Sequence, residues 1–392
     1  MPVERLPRSL AEAIAPVLPD LAEEIIAAIG REIPDYRRPL EGPFGVGLRQ
    51  GVERALRRFV DSIDDPGRVD PAARETYVEL GRGEMRAGRS LDALLSAYRL
   101  GARLAWERMC EVGQATGHDP PTLYRLASAI FSYIDRISAE SIEGYAAEQS
   151  AALAERQRHR RALVWLLARE DAEPEEILRL ATLAEWPRPA ALAGLVARAD
   201  DGDRLAARLG GQAIAVADDG LAIAFVPDPE APGRRAELRR ALAGAPSALG
   251  PTVPPERAAR SLVRARAAFG LLEQGLLSAD ADGLLLADDH LPELMLFGDA
   301  VLGADLAARA LKPLEEVRPA SRARLLETLR AWLDEPGQVT SIARRLHVHP
   351  QTVRYRVGQL RELFGARLDD PEERFTLALA VRVAAPRPTR SR

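Results

Sequence analysis

Apolar positions in the first 155 residues recur at helical spacing. Leu21, Ile25, Ile26 and Ile29 share one face of a 3.6-residue period until Pro34 interrupts it. Val52, Leu56, Phe59, Val60 and Ile63 form a second stripe, ended by Asp-Asp-Pro-Gly at 64–67. The same spacing predicts helices over 77–86, 91–116 and 123–149, separated by turns at 88–90 and 116–121. A charged run, AERQRHRR (154–161), then leads into a new apolar stripe, LVWLLA (163–168). This predicts a linker helix over 156–170, of the kind that serves as a rigid connector or a dimer seam.

The pattern then changes. ALAGLVAR (191–198), QAIAVAD (212–218) and LAIAFVPD (221–228) are short apolar runs bounded by Gly, Asp and Pro, as buried strands are. Asp218-Asp219-Gly220 marks a hairpin turn between the last two. Helical patterns at 175–184, 234–244 and 255–274 alternate with these runs, which predicts a central α/β domain over 171–290. Residues 291–384 return to helix (291–299, 304–317, 321–335 and onward), and 385–392, APRPTRSR, read as a disordered tail. The expected protein is therefore multidomain and mainly α, with a helical bundle over 1–155 in front.

Composition narrows the function classes. Hydrophobic residues make up 47% and charged residues 29%, as in ordinary globular proteins. No apolar run reaches the roughly 18–20 residues that span a bilayer, and the first residues lack a secretory pattern, so a cytoplasmic protein without membrane contact is expected. Cys110, the one cysteine, reads as a small core residue. Residues 318–392 hold fifteen Arg against eight acidic residues, a balance of +7; the whole chain is −4, which leaves −11 for the residues before them. A basic end on an acidic body points to a polyanionic partner confined to that end.

The most informative stretch is TSIARRLHVHPQTVRYRVGQLRELFG (340–365). Thr340 can cap a short helix whose inner positions are Ile342, Ala343 and Leu346. His347-Val348-His349 forms the turn, and Pro350 suits the first position of a second helix. Val353, Val357, Leu360 and Phe364 line one face of that helix, and Gln351, Thr352, Arg354, Tyr355 and Arg361 the other, with Arg356 at the edge. This is the pattern of a helix-turn-helix, in which one face anchors the second helix and the other enters a DNA groove. Arginine pairs bidentately with guanine and Gln with adenine. Base contacts are therefore expected from Gln351, Arg354 and Tyr355, and backbone contacts from Thr352, Arg344, Arg356 and Arg361. His347 and His349 have no cysteine or carboxylate at ligand spacing, so neither a metal nor a cofactor is expected.

Residues 325–383 closely resemble the C-terminal domain of PucR/CdaR-type transcription regulators. The resemblance rests on Ala343, Leu346, Val348-His349, Thr352-Val353, Tyr355-Arg356, Gly365, Leu368, Asp370-Pro371, Arg374 and Leu377 to Ala380. The family commonly has Asn where this chain has Gln351, which puts its preferred DNA sequence in doubt. Residues 248–272 resemble the strand-helix element of the family's middle domain, a degenerate relative of the nucleotide-cyclase (GGDEF) fold. The matching hairpin, VADDGLAI (216–223), has two Asp and only one Gly where cyclase chemistry needs a GGDEF-like turn, so no enzyme activity is expected.

The segments 33–36, 81–103 and 133–145 resemble the helical sensor domain of RsbR-type stress proteins and PucR-like regulators, which implies signal input and dimerisation. Arg86, Arg89, Tyr98 and Arg99 either line a ligand cavity there or make surface and interhelix contacts. The expected function is a sequence-specific regulator that binds a double-stranded DNA operator as a homodimer or higher oligomer. It would respond to a small-molecule or protein effector. The alternative is an interaction component of a stress-signalling complex that makes little use of DNA.

Overall fold

The computed structural model describes residues 6–37, 42–64, 71–210, 212–242, 244–280 and 282–384. The tail expected over 385–392 and the turn residues 65–67 lie outside them. The chain divides into two compact units, residues 1–155 and 156–392.

The first unit is helical: α1 (Arg8–Ile14), α2 (Leu18–Glu32), α3 (Gly42–Asp64), α4 (Pro71–Arg86), α5 (Leu91–Ala115) and α6 (Pro120–Leu167). The stripe residues Leu21, Ile25, Ile29, Leu56, Phe59 and Ile63 share one core with Met109, Leu126 and Ile137. Cys110 is only half-buried, with its Sγ accepting from Gln114. Two glycines fix how closely α4 and α6 pack. A Cβ at Gly81 would lie 2.0 Å from the Ser141 carbonyl oxygen, and one at Gly144 1.9 Å from that of Val78. The charged run 154–161 does not break α6, which continues into the second unit and buries Leu163, Val164, Leu166 and Leu167 there. At 1.5 Å per residue this helix is about 70 Å long.

The second unit opens with α7 (Pro174–Leu183) and a five-stranded sheet. Its strands are β1 (Leu192–Arg198), β2 (Ile214–Asp218), β3 (Leu221–Pro227), β4 (Ser247–Leu249) and β5 (Leu284–Leu286). They are ordered β2-β3-β1-β4-β5, antiparallel except for β4 against β5. Helices α8 (Gly202–Leu209), α9 (Arg234–Leu242) and α10 (Ala258–Glu273) connect them. Omitting β5, this is the split βαβ arrangement.

Both faces of the sheet are covered, so the strands read as unbroken apolar runs. Leu192, Val196, Ile214, Ile223 and Phe225 face α7 and α10. An alanine-rich face of Ala193, Ala197, Ala215, Ala222 and Ala224 meets α8 and α9. Buried Ser261 ties α10 to the sheet, accepting from the Gly194 N–H at 2.8 Å and donating to the Pro251 carbonyl at 2.6 Å. The hairpin between β2 and β3 turns on Asp219 (φ 48°) and Gly220 (φ 73°). Two positive φ values in a two-residue loop make this a type I′ turn.

The remaining helices are α11 (Leu291–Phe297), α12 (Ala300–Ala310), α13 (Pro319–Asp334), α14 (Val339–Arg345), α15 (Pro350–Phe364) and α16 (Pro371–Ala384). The segment expected as one helix over 304–317 ends earlier. Pro313 falls in a 3-10 turn over Lys312–Leu314, because its ring and missing N–H cannot continue the α-helix. Among the described residues, no helix is long and apolar enough to cross a membrane.

Candidate nucleic-acid interface

Helices α13 to α16 build a small core from Leu325, Leu329, Trp332, Ile342, Val353, Leu360, Phe364 and Leu377. α14 begins at Val339 with Gln338 as its cap, so Thr340 lies inside the first turn and is not the cap. The cap position is set by Gly337, whose φ of 78° turns the chain into the helix two residues earlier than the Thr signal implied. α14 and α15 are joined by a tight turn in which His347 adopts φ 51°. The Val348 N–H donates to the Ala343 carbonyl at 3.0 Å, and Val348 packs half-buried against the core. His349 caps α15, its Nδ1 accepting from the Gln351 N–H at 3.2 Å. Pro350 follows at the first helical position.

This packing sorts the side chains of α15. Val353 and Leu360 are buried, whereas Tyr355 is 67% exposed on the opposite side. Gln351, Arg354 and Arg361 are exposed, and Thr352 is half-buried at the helix start. Arg354 Nη1 donates to Gln351 Oε1 at 3.3 Å, and Gln359 Nε2 donates to the Tyr355 hydroxyl at 3.3 Å. These contacts align polar groups along the surface without closing it off. Arg361 is 3.8 Å from Asp369, both well exposed, a weak pairing. Arg344 is exposed on α14, with no hydrogen-bond or ion-pair partner among the described residues.

Arg356 differs from the rest. It is half-buried, and its Nη1 donates at 3.3 Å to the hydroxyl of buried Thr328 on α13. The neighbouring arginines are engaged elsewhere: Arg345 with Asp334 and Glu335, Arg382 with Asp334, Arg367 with Glu373. On α14 and α15, Arg344, Arg354 and Arg361 stay exposed on the outward side with at most weak partners.

Of the residues weighed for a cavity in the first unit, Arg89 and Tyr98 line one and Arg86 and Arg99 do not. Arg86 forms a two-bonded ion pair with Glu148 at the surface, and Arg99 donates to Ser96.

A short helix, a tight turn and a second helix with a buried and a polar face define a helix-turn-helix protein, the architecture of many DNA-binding regulators. Two family models match this chain: the PucR-like N-terminal domain over residues 3–168 and the PucR C-terminal helix-turn-helix domain over 325–383. Together they span more than half of the chain, which belongs to the PucR family of transcription regulators.

The purine catabolism regulatory protein of Bacillus subtilis is 44% identical over 59 residues, 15% of this chain and 11% of that protein. An uncharacterised protein of Mycobacterium tuberculosis is 27% identical over 401 residues, covering 97% of this chain and 94% of its own length. A counterpart in Mycobacterium bovis matches equally. The crystal structure of a regulator of polyketide synthase expression from Bifidobacterium adolescentis covers 57% of this chain and 91% of its own. Its TM-score is 0.31 at 19% identity, too loose to bear on the fold.

Proposed function

We propose that this chain regulates transcription by inserting α15 into the major groove of an operator. Gln351, Arg354 and Tyr355 would contact base edges, and Thr352, Arg344 and Arg361 the phosphates. The observation that carries the reading is the division of α15, with Val353 buried in the core and Tyr355 67% exposed beside Arg354. Arg356 would contact a phosphate with its remaining donors, while its bond to Thr328 holds α15 against α13. One helix-turn-helix gives modest affinity, so the active species is a homodimer or higher oligomer on half-sites about 34 Å apart or a multiple of that.

The central domain is read as a degenerate cyclase-like scaffold. The split βαβ order supports this, and the two-residue Asp219-Gly220 turn offers a nucleotide no cradle. The N-terminal bundle is the input domain, where an effector alters operator affinity. Both family matches carry a regulator's name, which favours this reading over an interaction component that ignores DNA.

Competition binding on duplex fragments from the surrounding genome tests it. A fragment that outcompetes random duplex by about a thousandfold or more at physiological salt is expected. Equal competition by every duplex would overturn the reading.

A further inference from the structure

The N-terminal bundle surrounds a cavity of about 410 Å³ between α2, α3, α4, α5 and α6, within the roughly 300–1,000 Å³ of small-molecule sites. Ile25, Leu56, Phe59, Met109, Ile130 and Ile137 make much of its wall apolar. Glycines on three helices also line it: Gly51 on α3, Gly83 on α4 and Gly101 on α5. None has a positive φ. A Cβ at Gly51 or Gly83 would meet nothing within 4 Å, and one at Gly101 only Ile25 at 3.6 Å. Glycine inside a helix costs about 1 kcal/mol against alanine. Neither backbone conformation nor close packing calls for it here, in contrast to Gly81 and Gly144. Gly51 is exposed to solvent, whereas at half-buried Gly83 and Gly101 the missing side chain leaves open space in the cavity wall.

The polar groups in the wall define what that space accepts. Tyr36 donates to Glu84 at 2.8 Å, and Glu84 is clamped by Arg89 Nε and Nη2 at 2.6 and 2.8 Å. Tyr133 donates to the Ala55 carbonyl at 3.0 Å, so the proton in its 2.6 Å contact with Tyr77 comes from Tyr77. Ser141 donates to the Tyr77 carbonyl at 3.1 Å, so in the 2.8 Å contact between Tyr98 and Ser141 the donor is Tyr98. All four tyrosine protons are thus committed, while the Tyr77 and Tyr98 oxygens still accept. Burial holds all four phenols above their usual range, which keeps them protonated. The Glu84–Arg89 pair carries no net charge.

We propose that this cavity binds an uncharged, largely apolar small molecule that donates a hydrogen bond, and that it rejects anions. An incoming carboxylate would meet committed donors, lone pairs and an already neutralised arginine. As the effector site, the cavity rests on the reading of this bundle as the input domain; binding in it does not depend on DNA.

The full chain is titrated with N-phenyl-1-naphthylamine, a neutral dye that joins a phenyl and a naphthyl group through one N–H, and with its sulfonated analogue 1-anilinonaphthalene-8-sulfonate. Saturable binding of the neutral dye at one site per chain is expected, with the sulfonate at least tenfold weaker. Gly83→Leu, which fills the cavity and improves the helix, should weaken the neutral dye at least tenfold without lowering the melting temperature. Gly101→Leu, at a half-buried position of the wall, serves as a second filler should the first fail to fold. Equal affinity for the two dyes, or undiminished binding by a folded filled variant, overturns the proposal. Operator affinity is measured separately, with and without dye. Dye binding that leaves it unchanged counts against the input role and leaves the site standing, whereas failed dye binding beside intact DNA recognition does the reverse.

Discussion

The N-terminal bundle and the C-terminal reader use the same residue types to opposite ends. In the bundle, charged groups are turned on one another: Arg89 on Glu84, Arg74 on Glu143, Arg86 on Glu148, Arg108 on Glu24. Its interior holds a cavity walled by Phe59, Met109 and four tyrosines. In the reader, buried side chains from Leu325 to Val381 make one apolar core, and Arg344, Arg354 and Arg361 project outward with at most weak local partners. A hollow interior with a self-neutralised surface suits a domain that receives a small molecule. An apolar core that anchors an outward polar face suits one that grips a polyanion.

The largest effects come from breaking what holds each region together. Leu360→Ala, in the buried core of the reader, should cost roughly 2–5 kcal/mol. It is read as an earlier denaturant transition of the second unit with that of the first unchanged. In the bundle, Glu84→Gln leaves Arg89 without its carboxylate and should cost about 3 kcal/mol, seen in the first unit alone. If both substitutions shift both units equally, the two regions are not the separate bodies described here.

Smaller effects sharpen the contrast between available and engaged arginines. Arg354→Ala should lose roughly 1–3 kcal/mol of affinity for its own operator with random-duplex binding unchanged, measured by mobility shift. Arg361→Ala should weaken specific and non-specific binding together and lower the salt slope by about one. Arg345→Ala removes the same charge from an arginine paired with Asp334 and Glu335 and should change stability by under about 1 kcal/mol. Operator affinity should not move.

The reader is the part most legible from residues alone, because a helix-turn-helix is local and its turn, proline and apolar stripe lie within 26 consecutive positions. The helices of the bundle are legible for the same reason, since Leu21, Ile25 and Ile29 announce themselves by spacing. Elements held by distant partners are not. The helix over 202–209 is short and charged, and it is defined by Gly202, where a Cβ would lie 2.7 Å from the Val216 Cα. The strand Leu284–Leu286 is three residues long and exists because β4 lies beside it. The turn of Arg356 toward Thr328 depends on α13, 28 residues away, so a helical wheel leaves it at an edge. A cavity leaves no periodic trace at all; mid-helix glycines without a packing reason are the nearest signal.

The claim that the outward face of α15 reads bases is tested most directly by affinities for every single-base variant of the operator, with wild type and Arg354→Ala compared. The account predicts that the substitution abolishes discrimination at one position of each half-site and preserves it at the others. An unchanged pattern of discrimination, with all affinities merely scaled, would contradict it.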